Sequence, residues 1–171
     1  MSGKVIGKSL NLGYPGTVSR SADAIITARL VRDTDTESIA FGDAVILNGN
    51  NSYSKFGEEG TADAFVGVAV REVKQSTDYF SEQVSYKPGQ PCDVLERGSI
   101  TVLCNAGTPT AGGAVYLRIT ENASIPNGVV GGFEAAADGA NTIKLTGVKW
   151  KTGKLDANKV AEITILSRNN P

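Results

Sequence analysis

Two thiols, Cys92 and Cys104, sit in the run PGQPCDVLERGSITVLCN (Pro88–Asn105), and they are the side chains of this sequence best suited to redox or metal chemistry. Such a pair can hold a metal, exchange electrons, close a disulfide or fill space. A tetrahedral zinc site needs two more Cys or His ligands, and the chain has only these 2 cysteines and no histidine. Residues 93–103 lie between the thiols, so they are not the Cys-x-x-Cys pair of a thiol oxidoreductase. A disulfide depends on how the run folds. A hairpin turning at Arg97-Gly98 sets Cys92 opposite Leu103 and Cys104 opposite Pro91, on the other face. A turn one residue longer puts both thiols on one face but diagonally, roughly 7–8 Å apart between Cα atoms, beyond easy bridging. A single strand with a glycine bulge separates them further. In every register a disulfide is disfavoured, and the thiols read as small buried hydrophobes.

The absence of histidine also removes the commonest general base and transition-metal ligand, so the expectation of an enzyme falls. Other arrangements fare no better. In RDTDTESIAFGD, Asp33, Asp35 and Glu37 alternate as calcium ligands can, but the glycine and closing glutamate of a calcium loop are misplaced, so a solvated loop is expected. NGNNSYSKFGEEGTAD is a long polar loop without the Gly-Lys-Ser/Thr ending of a phosphate loop. GTPTAGGAV leads into a strand, which offers no helix N-terminus to an anion. RGSITV lacks the second glycine of a nucleophile elbow and any histidine for a triad. No catalytic residue, cofactor or metal is expected.

The elements that would carry these residues are strands. Scattered glycines punctuate β-branched runs. DAIITARLVR places Ala24, Ile26, Ala28 and Leu30 on one face, a strand by its β-branched content, though Ile26 and Leu30 keep a helical spacing open. DAVIL (Asp43–Leu47) follows. DAFVGVAVREV (Asp63–Val73) aligns Ala64, Val66, Val68 and Val70, with Gly67 marking a bulge. CDVLE, SITVLC, AVYLRIT, VVGGFEA, NTIKLTGVKW and VAEITIL complete the series, and only FEAAADGAN offers a helical turn. The expected fold is all-β, a single β-barrel or β-sandwich of about eight to ten short strands.

At 171 residues the chain reads as one domain with an arm. The arm is residues 1–22, which hold Lys4, Lys8 and Arg20 and no acid, and the β-rich domain is 23–171. The arm reads either as a solvated tail or as an extended segment that orders against a neighbouring subunit. A net charge of −1 gives no basic surplus for nucleic acid, and no apolar run is long enough to cross a bilayer. With no secretory apolar segment at its start, the protein is expected to be soluble and made in a reducing cytosol.

The order GTVSRSADAII, SIAFGDAV, FVGVAVRE, YKPGQPCDVLERGSITV, GGAVYLRI and ANKVAEITIL, from about Gly13 to Leu166, resembles tailed-bacteriophage capsid cement (head decoration) proteins. The resemblance implies a non-enzymatic structural protein, made in the bacterial cytoplasm and bound to the capsid exterior of the virion. Its partners would be the major capsid protein, whose neighbouring subunits it clamps, and copies of itself, as a trimer, with no nucleic acid or membrane partner. Tyr14, Pro15 and Arg20 are the expected capsid-contact residues. Trp150 is either a core anchor or an interface aromatic. The alternative is another virion β-module of a tail, fibre or carbohydrate-binding kind.

Overall fold

The computed structural model describes residues 11–58, 60–72 and 84–168. In chain order the strands are β1 (Val18–Leu30), β2 (Ile39–Ala40), β3 (Ala44–Leu47), β4 (Tyr53–Lys55), β5 (Phe65–Ala69), β6 (Ser85–Tyr86), β7 (Pro91–Ala106), β8 (Ala114–Arg118), β9 (Phe133–Glu134), β10 (Thr142–Trp150) and β11 (Val160–Ile165). The chain is all-β as expected, with 3-10 turns at Ala62–Ala64 and Gly139–Asn141. The helical turn anticipated in FEAAADGAN is confined to the second of these. Two strands are not short: β1 has 13 residues and β7 has 16. β1 runs through the expected boundary at residue 22, and residues 1–10 of the expected arm, Val73 and residues 169–171 lie outside the described residues.

The run that carries both cysteines does not turn at all. β7 is continuous from Pro91 to Ala106, so Glu96-Arg97-Gly98 is not a turn, but the expected bulge is present: Ile25 faces Arg97 and Ile26 faces Leu95, which leaves Glu96 as the extra residue of β7. On one side, β11 pairs regularly through this stretch, with Ile165 opposite Gly98 and Thr164 opposite Ser99. The larger irregularity sits in β1, where Arg20 faces Ser99 and Ile25 faces Arg97, so residues 21–24 bulge opposite Gly98. Gly98 has φ +121° and lies under that bulge, where a Cβ would meet Ala24 Cα at 3.1 Å and Asp23 O at 3.2 Å. Gly98 makes room for the neighbour's bulge, and the bulge of β7 itself falls two residues earlier, at Glu96.

β7 organises two sheets. Its second half belongs to a closed ring, β7–β11–β10–β8–β9, returned to β7 by the parallel pairing of Cys104 with Phe133. Its first half pairs with β1 on one edge and β5 on the other, and β3 and β4 continue beyond β5. The fold is therefore a β-barrel with a flanking sheet. β5 approaches β7 so closely that a Cβ on Gly67 would lie 2.3 Å from the Leu95 carbonyl oxygen. The bulge expected at Gly67 falls beside it: Val45 pairs with Gly67 and Ile46 with Phe65, which leaves Val66 as the extra residue.

Both faces of β7 are covered. Leu95, Ile100, Val102 and Cys104 enter one core with Phe133, Leu145, Ile163 and Trp150. Val94 and Cys92 enter a second core with Val31, Phe41, Tyr53 and Tyr86. Trp150 is 1% exposed, which decides it as a core anchor; its indole Nε1 has no hydrogen-bond partner among the described residues. The thiols thus sit in different cores, and the twelve steps between them span about 40 Å along an extended strand. Both are free and buried.

Among the described residues, fully buried charge forms two clusters, around Arg118 and around Glu96. Arg118, fully buried, donates Nη2 to Glu134 Oε2 at 2.9 Å and Nη1 to Asp138 Oδ2 at 2.9 Å, which ties the end of β8 to β9 and the segment after it. Glu96, also fully buried, accepts from Arg29 Nη1 of β1 at 3.3 Å, from the Tyr53 hydroxyl at 3.4 Å and from Arg168 Nε at 3.0 Å. One carboxylate therefore ties β1, β4, β7 and the segment after β11 together. Burial pushes the Glu96 pKa up, but hydrogen bonds from Arg168, Thr27 and Arg29 outweigh it and hold the group below its ordinary 4.5. A depressed carboxylate stabilises the fold above its unfolded pKa, and that stabilisation is lost as pH falls through the folded value. Glu96→Gln is therefore expected to cost about 2 kcal/mol in urea unfolding at pH 7, because it leaves Arg29 uncompensated in a partly buried site. It should also flatten the loss of stability below about pH 4.5; an unchanged acid limb would refute the linkage.

Candidate functional site

The side chains that could do chemistry are each spent on structure. Burial pushes the Cys104 thiol up to about 11, and its Sγ lies 3.5 Å from the Ala106 carbonyl oxygen. The alternating carboxylates do not converge: Asp35 takes Arg32 Nε at 2.5 Å and Ser54 Oγ at 2.5 Å, while Glu37 lies 3.9 Å from Lys55. Among the described residues, no three His, Cys, Asp or Glu side chains are grouped to hold a metal ion. What remains is surface.

The expected contact residues fall on a built junction. Gly16 donates its N–H to Thr101 O at 2.7 Å, and its carbonyl accepts the Arg71 N–H at 2.7 Å, so the segment before β1 is stitched to both β7 and the end of β5. Only glycine fits there. Gly16 has φ +82°, and a Cβ would meet Ala69 O, Arg71 N and Gly42 N, each at 2.9 Å. Further out, the Leu12 N–H donates to Asp156 Oδ2 at 2.9 Å. The Tyr14 carbonyl accepts from the hydroxyls of Thr101 at 2.6 Å and Thr17 at 2.8 Å, which leaves the Tyr14 ring 65% exposed. The Arg71 guanidinium lies 4.5 Å from that ring and 5.7 Å from the Phe41 ring. Phe41 packs edge-on against Tyr86, centroids 5.2 Å apart, and the Tyr86 hydroxyl donates to Val70 O at 2.6 Å. A stack thus runs from the second core to the surface: Tyr86, Phe41, Arg71, Tyr14.

Pro15 borders a recess of about 140 Å³ whose walls include Phe41, Leu103, Val129 and Phe133, with Asp43 and Lys55 also on it. Leu103 and Val129 are exposed. Desolvation raises the Asp43 pKa, against the pull of Lys55 Nζ at 3.7 Å. Arg20 stands apart from this recess, in β1. Its side chain is 66% exposed and 3.9 Å from Glu162, which also accepts Ser19 Oγ at 2.6 Å. The structure therefore brings Tyr14 and Pro15 together and leaves Arg20 along the strand.

β1 supplies a second apolar surface. The alternating face read from the sequence exists, but it points outward at Ile26, 45% exposed, and Leu30, 56% exposed. The other face carries Arg29 toward Tyr53 and Glu96. β1 pairs only with β7 along its length, so among the described residues its other edge is open until Val31 bridges Tyr53. Sequence reasoning missed Arg71, Leu103 and Val129. Only the glycines and the Tyr-Pro-Gly turn signalled that chain segments meet here.

A barrel with a flanking sheet and apolar surface left open on one strand and one recess together define a compact β-module with exposed apolar surface. Residues 3–165 match the family model of the XM1 gp53 minor capsid protein, and the chain belongs to that family, as a structural component of the virion. The fold is similar to a chain in the solved structure of the capsid of Myoviridae phage XM1, with TM-score 0.70, 16% identity and 98% of each chain covered. Among curated proteins none matches. The resemblance to capsid-associated phage proteins read from the sequence is thereby established at the level of the family.

Both thiols should be silent to a thiol-specific colorimetric reagent in the native protein at pH 8 and react fully only in denaturant. Fast native labelling of either would contradict their burial.

Proposed function

We propose that this protein is a non-enzymatic cement protein that binds the outer surface of a phage shell and stabilises it by clamping neighbouring major capsid subunits. The observation that carries the reading is the outward apolar face of β1, Ile26 and Leu30, on a strand whose partner edge is open. A sequence that alternates apolar residues and then exposes them has surface to bury against something else. Tyr14, Pro15 and Arg20 serve as contact residues, presented by a segment already ordered through Gly16. Residues 1–22 act as the docking arm of the domain 23–171, and the working unit is a trimer.

The mechanism is mass action. A protein that binds the mature shell and not its disrupted form stabilises it by RT ln(1 + [L]/Kd) at each site. A trimer that engages several subunits at once gains avidity without new contacts. Because the β-structure is rigid before docking, little ordering cost offsets the contacts.

Mixing purified protein with undecorated shells should give co-sedimentation and raise the shell melting temperature. Absence of both sinks the cement reading and favours a tail or fibre module. Removing residues 1–22 would also remove the Gly16 ladder and the start of β1, so the cleaner variants are deletion of residues 1–10, Arg20→Ala, and Ile26→Ser with Leu30→Ser. Each should weaken shell binding about threefold or more while the protein keeps its own melting temperature. Undiminished binding by all three would show the docking face is elsewhere.

A further inference from the structure

The strongest unabsorbed feature is Arg71. It is exposed, and among the described residues no carboxylate lies within ion-pairing distance of its guanidinium. It is nonetheless held in place. Its main-chain N–H is fixed to Gly16 O at 2.7 Å, and its guanidinium rests 4.5 Å from the Tyr14 ring. Phe41, the second ring at 5.7 Å, is itself locked against Tyr86. A guanidinium against aromatic rings keeps its in-plane N–H edge available, and that edge matches a carboxylate with two parallel hydrogen bonds. Other exposed arginines here are engaged: Arg97 with Asp23 at 3.1 Å, Arg32 with Asp35 at 2.5 Å, and Arg168 with Glu96. Among the described residues, Arg71 is an arginine with a prepared edge and no acid within ion-pairing distance.

Its surroundings narrow the partner further. Pro15 and Phe41, on either side of the Tyr14–Arg71 pair in the junction, also wall the apolar recess with exposed Leu103 and Val129. A segment that puts an acidic side chain on Arg71 can lay an apolar neighbour into that recess. The residues of the arm add no competing acid, since positions 1–22 hold Lys4, Lys8 and Arg20 and no Asp or Glu.

We propose that Arg71, stacked on Tyr14, is a preorganised receptor for a carboxylate of the shell subunit, so that the partner segment is an acidic residue flanked by an apolar one. This rests on the shell-binding reading above and specifies its chemistry. Preorganisation matters because the side-chain ordering cost of a long arginine is met before the partner arrives.

The test uses the full-length protein and two preparations of undecorated shells. One is untreated; the other has its surface carboxylates converted to neutral amides with carbodiimide and glycinamide and still sediments as intact particles. On untreated shells Arg71→Gln should bind about tenfold more weakly than wild type, and Arg71→Lys should recover only part of that, since it keeps the charge but not the fork. On amidated shells wild type should fall to the level of Arg71→Gln. Equal binding by wild type and Arg71→Gln on untreated shells would overturn the proposal. So would a tenfold gap that persists on amidated shells, because the partner would then not be a carboxylate. If wild type fails on untreated shells, the shell-binding reading fails, and this inference falls with it.

Discussion

One uninterrupted strand governs this molecule. β7 presents both of its main-chain edges and both of its faces to other parts of the chain, so nothing along it is free to move alone. A strand covered on both faces carries apolar residues at both parities, as the adjacent Val94 and Leu95 do by entering different cores. Its one glycine lets β1 bulge, and its one buried carboxylate takes up two arginines. The barrel is closed by this strand, and the flanking sheet is grown from it.

The exposed surfaces follow from that arrangement. Because β5 and β11 take the opposite main-chain edge of β7, β1 is left at the margin, attached by one edge. Arg29 goes to the Glu96 cluster and Ala24 packs on the main core, while Ile26 and Leu30 stay on the outside. The bulge at residues 21–24 also breaks the regularity of the open edge, a device that discourages unplanned strand pairing. The surface is therefore apolar in side chains yet irregular in backbone, a combination suited to a specific partner.

The class of fold was legible because the signals that define it are local. β-branched runs bounded by glycine gave the strands, and the lack of histidine removed the usual catalytic and metal chemistry. What was not legible depends on contacts distant in sequence. Nothing in ERGS says whether the glycine turns the chain or accommodates residues 21–24 seventy-odd positions earlier. The alternation of Ile26 and Leu30 gave a face but not its direction, since an outward and an inward apolar face have the same pattern. Tyr14 and Pro15 were visible as turn chemistry. Arg71 was not, because its significance lies in Gly16 and Phe41, which only the fold brings beside it.

The shared strand has a mechanical meaning as well. In a molecule of two sheets joined by a linker, a push on one is absorbed by bending between them. Here one strand of sixteen residues runs unbroken from one sheet into the other, with close-packed side chains on either side. A load placed on β1 or β5 passes into the barrel through covalent bonds and ladder hydrogen bonds, and no hinge intervenes. Such a module carries load as one rigid piece.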